Sequence, residues 1–377
     1  MPHIDVPYIE EYRERMLYSQ SRHIKELLLE FLNCEVSMMF LNSIFVVDTH
    51  TAGQPTRIVV AGLPKMRGDS VAKKRDYVRS KMDYVRNFLC NEPRGHDAMY
   101  GALLTEPGSE DAASGVIFFS TVGYDDMCGH GVIGVSTVLI ETGMVHVEGP
   151  SKEVILETPA GLIRTKVNVT DGKVRSVSFV NIPAFLYKED ISINVPGYGE
   201  VKGDVAFGGN WYFYVNTKEV GVRVRSENID DLIKTGTAIK NAFNKEFDLV
   251  HPTDPNISTK LLGVSVLDSP VKNKKADQNN VVVEGKFVDR SPCGTGTCGR
   301  MAILFAKNKL ALNEDFVNES ITGTIFRGRL IEKTKVGEYP AVRPEITGSA
   351  YITGFNHIVL DPDDPFGSKG FLLGQRI

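Results

Sequence analysis

Two short stretches carry the side chains best suited to chemistry. The first runs Met127-Cys128-Gly129-His130-Gly131-Val132-Ile133-Gly134. The second runs Asp289-Arg290-Ser291-Pro292-Cys293-Gly294-Thr295-Gly296-Thr297-Cys298. Each sets a cysteine before Gly-x-Gly and then passes into an apolar helical pattern. A helix N-terminus presents unpaired N–H groups and a partial positive charge. Both lower the pKa of a nearby thiol from about 8.5, so thiolate is expected near neutral pH. The same amides bind carboxylates, and glycine lets an anionic ligand approach the backbone closely. Two such ends facing each other would form a pocket with a thiol on either side. That arrangement suits a substrate bearing a carboxylate, with a proton leaving one face and another arriving on the opposite face.

The elements around these loops form two similar halves. A helix from about Gly129 to Glu141, which Gly143 can cap, is apolar almost all round and is expected inside its domain. Thr297 to Leu310 reads as its counterpart. Strand-like runs surround both: Met39–Val47, Ile58–Val60, Met99–Thr105, Gly115–Thr121, Val154–Leu156, Leu162–Val169 and Val177–Val180, then Gly203–Val215 and Val281–Val283, with more strands to about Leu360. Asp69 to Phe88 reads as a charged helix with Asp69 or Ser70 as N-cap, and Ile229 to Phe247 as another. The pattern restarts near Pro196-Gly197-Tyr198-Gly199. Strands outnumber helices, which indicates an α+β fold of two pseudo-symmetric domains, each a curved sheet around a central apolar helix. The expected division is an N-terminal helical extension over 1–39, a first half over 40–195 joined by the tail 355–377, and a second half over 196–354. In the extension, Ile24, Leu27, Leu28, Phe31 and Leu32 follow the spacing of an amphipathic helix, and Cys34 reads as a small buried hydrophobe.

Composition narrows the function classes. At 377 residues the chain is long enough for two cores. A net charge of −4 and pI near 6.1 leave no electrostatic footprint for nucleic acid. No apolar run reaches the roughly 20 residues that span a bilayer, so no membrane role is expected. Five cysteines in a chain this size do not read as a secreted disulfide framework; a reducing, cytoplasmic compartment is expected.

Other readings of the cysteines are weaker. Cys293 and Cys298 are too far apart for a close zinc pair, and Cys128 has only His130 near it in sequence. Neither loop is Cys-x-x-Cys, the usual redox signature. Cys128 and His130 sit on one loop, whereas nucleophile–base pairs usually come from distant segments. Cys298 reads as core packing. His96 and Asp97, in Arg94-Gly95-His96-Asp97, read as loop-orienting residues.

The two loops resemble the signature loops of the proline racemase family. Further matches run in order from about residue 44 to the C-terminus: Asp48-Thr49-His50-Thr51, Glu92-Pro93-Arg94-Gly95, Asp126-Met127, Glu157-Thr158-Pro159-Ala160-Gly161, Ala206-Phe207-Gly208-Gly209-Asn210, Ile352-Thr353-Gly354 and Asp361-Pro362. The resemblance implies a fold like that of diaminopimelate epimerase, a homodimer, a small-molecule substrate in the cleft between the domains, and neither cofactor nor metal. It implies that Cys128 and Cys293 are the catalytic thiol pair. Amides at Gly129, His130, Gly294 and Thr295 would hold the substrate carboxylate, and His130 and Asp289 would flank the ring nitrogen.

The retained Cys293 disfavours the family's dehydratases, which resemble this chain but carry threonine there. Racemisation of proline is therefore the first expectation, with 4-hydroxyproline 2-epimerisation by the same mechanism as the alternative. A family member that only binds an imino acid is a further one. Tyr100 and Phe118 supply the expected aromatic surroundings of the ring, while the Tyr100 hydroxyl and Glu284 suit a polar ring. Ala52 and Gln54 stand where many members carry Glu.

Overall fold

The computed structural model describes residues 42–373 apart from 256 and 362. The expected extension over 1–39, including Cys34, lies outside the described residues.

Alternating β-branched and aromatic residues build one unit of strands twice. In the first half β1 (Asn42–Thr51) and β2 (Gln54–Ala61) form a hairpin. β2 runs parallel to β3 (Tyr100–Thr105), which is antiparallel to β4 (Ser114–Ser120). Short β5 (Gly123–Asp125) folds back on β4. β4 is also parallel to β6 (Ser151–Thr158), which leads a meander through β7 (Gly161–Thr170) and β8 (Lys173–Val180).

The plan repeats after β9 (Ala184–Val195). β10 (Gly199–Phe207) and β11 (Trp211–Asn216) are antiparallel, and β11 is parallel to β12 (Gly263–Asp268). β12 pairs antiparallel with β13 (Gln278–Val283), and β13 is parallel to β14 (Asp315–Ser320). A meander through β15 (Ile325–Val336) and β16 (Tyr339–Gly348) follows. The strand after each meander crosses over: β9 pairs with β10, and β17 (Ala350–Leu360) pairs with β1. Phe185, Ile193 and Val195 of β9 pack among Val201, Phe213 and Val264, so the expected cut after residue 195 falls at the far end of a strand that sides with the second half.

Parallel neighbours need a crossover connection, and this need positions the site. In each half the first crossover lies on the outer face: helices Val71–Lys81 and Tyr84–Cys90 in one, Ile229–Glu246 in the other. The second crossover is the cysteine helix, Gly129–Glu141 between β4 and β6, and Gly294–Ala306 between β13 and β14. Every residue from Gly129 to Ile140 is buried, and Met301, Ala302 and Ile303 are buried in the second helix.

Two boundaries differ from expectation. The segment expected as one helix over 69–88 breaks at Met82–Asp83, although Ser70 does cap its start by accepting from the Lys73 amide. The second central helix starts at Gly294 rather than Thr297 and ends at Ala306. Glycines at 294, 296 and 299 depress local helix propensity, but packing requires them. A Cβ on Gly299 would collide with the Tyr214 hydroxyl, so a larger residue there would have to displace Tyr214 from its hydrogen bond to the Gly296 carbonyl.

Candidate active site

Cys128 is the N-cap of its helix in extended conformation (φ −137°, ψ 109°). Cys293 caps the other at φ 63°, ψ 115°, a strained conformation for a residue with a side chain. The Cys293 loop is braced by its own residues: the Ser291 amide donates to Asp289 Oδ1 (2.8 Å) and the Cys293 amide to Ser291 Oγ (3.1 Å). The first helical bonds run from Val132 N to the Cys128 carbonyl and from Thr297 N to the Cys293 carbonyl. The amides of Gly129, His130, Gly294 and Thr295 therefore have no partner within their helices.

The two helix starts meet head to head, with Phe179 of β8 beneath them. Between them lies a cavity of about 20 Å³, room for little more than a water molecule. Cys128, Gly129, His130, Tyr100, Glu284, Asp289, Cys293, Gly294 and Thr295 all line it, so these expected site residues are brought to one place. Phe118 is not among the lining residues; it is fully buried under Gly131 and supports the first helix turn instead. His96 and Asp97 also lie elsewhere, where His96 Nδ1 accepts from the Ala98 amide at 3.2 Å.

Sequence reasoning missed Asp125, Tyr212 and Leu262, which line the same cavity. A pair of acids, Asp125-Asp126, just before the Met127-Cys128 loop was a usable signal, although only the fold shows that Asp125 is the one that faces the cavity. Tyr212 sits on β11, brought in only by the sheet; its hydroxyl lies 2.8 Å from Thr295 Oγ1 and 3.7 Å from Cys293 Sγ. Across the cavity, Cys128 Sγ lies 3.4 Å from His130 Nδ1. Tyr100 packs edge-on against the His130 ring and donates to Glu284 Oε2 at 2.8 Å.

The expected low thiol pKa is not found. Burial pushes both Cys128 and Cys293 well above the ordinary thiol value, and the carboxylates around the cavity push the same way. The amides of Gly131 and Gly296 pull down but are outweighed. With the thiols only 6% and 4% exposed, desolvation of the charged form outweighs the helix ends. Burial also raises Asp289 to about 6 and, helped by neighbouring acids, Asp125 to about 7 and Glu284 to about 8. Burial lowers His130 to about 3, so its imidazole is neutral. The closed cavity thus holds neutral thiols among acids whose pKa values are raised. Among the described residues, no group of three or more His, Cys, Asp or Glu is arranged to hold a metal ion. No helix among them is long and apolar enough to cross a membrane.

Two pseudo-repeated halves with a shared cavity at their junction define the class: an isomerase of the racemase and epimerase type on a diaminopimelate epimerase-like fold. A family model described as proline racemase matches residues 46–372. The chain is 46% identical over 337 residues to a proline racemase of Clostridioides difficile, covering 89% of this chain and 100% of that protein. It is 44% identical over 329 residues to a 4-hydroxyproline 2-epimerase of Streptosporangium roseum, covering 87% and 97%. A hydroxyproline epimerase from Agrobacterium vitis, solved with bound trans-4-hydroxy-L-proline, superposes with a TM-score of 0.82 at 30% identity, covering 89% of this chain and 97% of that one. The chain belongs to the proline racemase family.

Proposed function

We propose that the protein inverts the Cα of proline by passing protons between Cys128 and Cys293. The observation that carries this reading is the placement of both thiols on one closed cavity, at helix starts that meet head to head. One thiolate removes the Cα proton. The electron pair delocalises into the carboxylate, which the amides of Gly129, His130, Gly294 and Thr295 hold as its charge grows. The other thiol delivers a proton to the opposite face, and the roles swap for the reverse reaction. One proton leaves the carbon and one arrives, so the balance closes without a redox step.

The raised thiol pKa values fit this scheme. The zwitterionic substrate carries its own cation, a secondary ammonium, which Asp289 can receive once ionised, above about pH 6. That charge offsets the cost of forming a buried thiolate. One thiol gives up its proton to water as the substrate enters and before the cavity closes, so thiolate is formed with the substrate present rather than standing in the empty site. General acid–base catalysis by positioned groups contributes roughly 10²–10⁴-fold; exclusion of water and fixed amides supply the rest.

A second reading, 4-hydroxyproline 2-epimerase, is favoured by one observation. Tyr100 and Glu284 form a buried polar pair on the cavity wall, and such a pair suits a ring hydroxyl better than a bare ring. We extend either reading to a homodimer in a reducing, cytoplasmic setting. Exposed Phe45, Tyr351 and Phe355 on the β1 and β17 edge supply an apolar face for the dimer, and sedimentation velocity tests that part.

Proton NMR in D₂O under reducing conditions tests the reaction. Loss of the Cα proton from L-proline is expected. Loss from trans-4-hydroxy-L-proline, with signals of the cis-D diastereomer, would select the second reading. Exchange with neither substrate would overturn both.

A further inference from the structure

The tip of the β1–β2 hairpin touches both reactive loops without lining the cavity. Ala52 (φ 50°) and Gly53 (φ 92°) turn the chain there, and Gln54 follows with no exposed surface at all. Both ends of its amide are used. Gln54 Nε2 donates to the Ala98 carbonyl at 3.0 Å, and Gln54 Oε1 accepts from the Arg290 amide at 2.8 Å. Ala98 lies two residues before Tyr100, and Arg290 directly follows Asp289 and precedes Cys293 in the same braced loop. One side chain therefore ties the segment carrying the cavity-lining Tyr100 to the loop carrying the second thiol. Neighbouring bonds act along the same seam: Thr324 Oγ1 donates to the Ala52 carbonyl (2.8 Å), Thr322 Oγ1 to the Arg290 carbonyl (3.2 Å), and Thr51 Oγ1 to the His130 carbonyl (2.8 Å).

We propose that Gln54 is a positioning residue that holds the reactive cavity closed, and that it works because an amide offers a donor and an acceptor at once. The cavity as closed is too small for an imino acid, so the two loops must part for substrate to enter and come together for reaction. The Arg290–Gln54 bond spans that parting seam, while the Ala98–Gln54 bond keeps the side chain aimed at it. Alanine at 54 removes both bonds. Glutamate is more informative. Protonated, its O–H can donate to the Ala98 carbonyl and its C=O can accept from Arg290, as glutamine does. Ionised, it keeps only the acceptor and faces the Ala98 oxygen with a negative charge. Burial keeps such a carboxyl protonated above the ordinary glutamate value. Arg290, Asp289, His96, Asp97 and Tyr100 are ionisable side chains on the two segments it joins, and they are unchanged in every variant; Asp289, raised to about 6, titrates within the same window, which is why each variant is compared with wild type at the same pH.

The proposal rests on the two-thiol reading for its catalytic meaning, so the test has two separate readouts. Opening of the seam is read without substrate, as the rate at which 4,4′-dithiodipyridine modifies Cys128 and Cys293, located by peptide mass. Catalysis is read as Cα exchange in D₂O with the two imino acids. Wild type, Gln54→Ala and Gln54→Glu are compared from pH 5.5 to 8.5, with circular dichroism reporting the folded fraction.

Relative to wild type at each pH, Gln54→Ala is expected to react with the disulfide about tenfold faster throughout, the range expected for losing one or two buried hydrogen bonds. Gln54→Glu is expected to match wild type in acid and to approach Gln54→Ala in alkali, with kcat/KM falling over the same interval. Wild-type rates for both variants, or a glutamate variant that already behaves like alanine in acid, would overturn the proposal. If Gln54→Ala does not fold, Gln54→Glu carries the test alone as one chain compared at two pH values; a glutamate variant unfolded in acid counts against the proposal. A wild type that exchanges neither imino acid sinks the functional reading but leaves the thiol-modification result to decide the role of Gln54.

Discussion

Gly129 and Gly294 stand back to back at the starts of the two central helices: a Cβ built on either would lie 3.0 Å from the Cα of the other. No side chain separates the helix ends, so their free amides converge on one cavity and the two thiols share it. The glycine of each Cys-Gly-x-Gly loop thus serves contact between the halves as well as access to the ligand.

Gly294→Ala should push the two loops apart by a few tenths of an ångström. The expected cost is about 1–3 kcal/mol of stability, typical of overpacking, with a loss of activity on the order of 10²-fold from misplacement of the reacting groups. Urea unfolding and the exchange rate in D₂O would measure the two effects on one preparation. Unchanged exchange would show that the contact is not needed for catalysis.

Cys128→Ser and Cys293→Ser should each lower Cα exchange by roughly 10²–10⁴-fold while leaving the fold intact. Cys298 offers the control. It is buried in the same helix as the second loop but does not line the cavity, so Cys298→Ala should leave the rate within about twofold and cost about 1 kcal/mol of packing. Equal losses in all three variants would point to a structural role for the thiols.

Tyr100→Phe removes the donor to Glu284 and leaves a buried carboxyl without that partner. If the pair receives a ring hydroxyl, the ratio of kcat/KM for trans-4-hydroxy-L-proline to that for L-proline should fall roughly tenfold. A ratio that does not move assigns the pair to packing and strengthens the proline reading.

The buried acids set how stability depends on pH. Glu284 and Asp125, raised to about 8 and about 7, bind protons in the folded state that the unfolded chain has already released. Their contribution is whole below their unfolded values and is lost as pH rises through the folded ones. Asp289 completes its own loss near pH 6. His130, lowered to about 3, works the opposite way, but only below its ordinary value of 6.5. Between pH 6.5 and 8.5 the melting temperature of the ligand-free protein should therefore fall, and Glu284→Gln should flatten the slope. Comparing the two isolates Glu284 from Lys240 nearby, whose lowered pKa acts in the other sense. A melting temperature that rises across this window in wild type would refute the assignment of these shifts.

Much of this was legible in the chain. Cysteine before Gly-x-Gly, an all-apolar helix and a recurring strand pattern are local signals, and they located both loops, the α+β character and the central helices. Other features were decided by the tertiary structure alone. The start of the second helix at Gly294 goes with close packing of Gly294 on Gly129 and of Gly299 on Tyr214, which overrides the low propensity of these glycines. The crossing of β9 and β17 between halves depends on edge pairing that no local pattern encodes. The membership of Tyr212 in the cavity and the partnership of Tyr100 with Glu284 arise from residues far apart in sequence. The protonation of the thiols went against the local rule, because a helix end acts over one turn whereas desolvation sums over everything that surrounds the sulfur. Residue identity along the chain determined which chemistry was available; burial and the meeting of distant segments decided in which charge state each group stands ready to perform it.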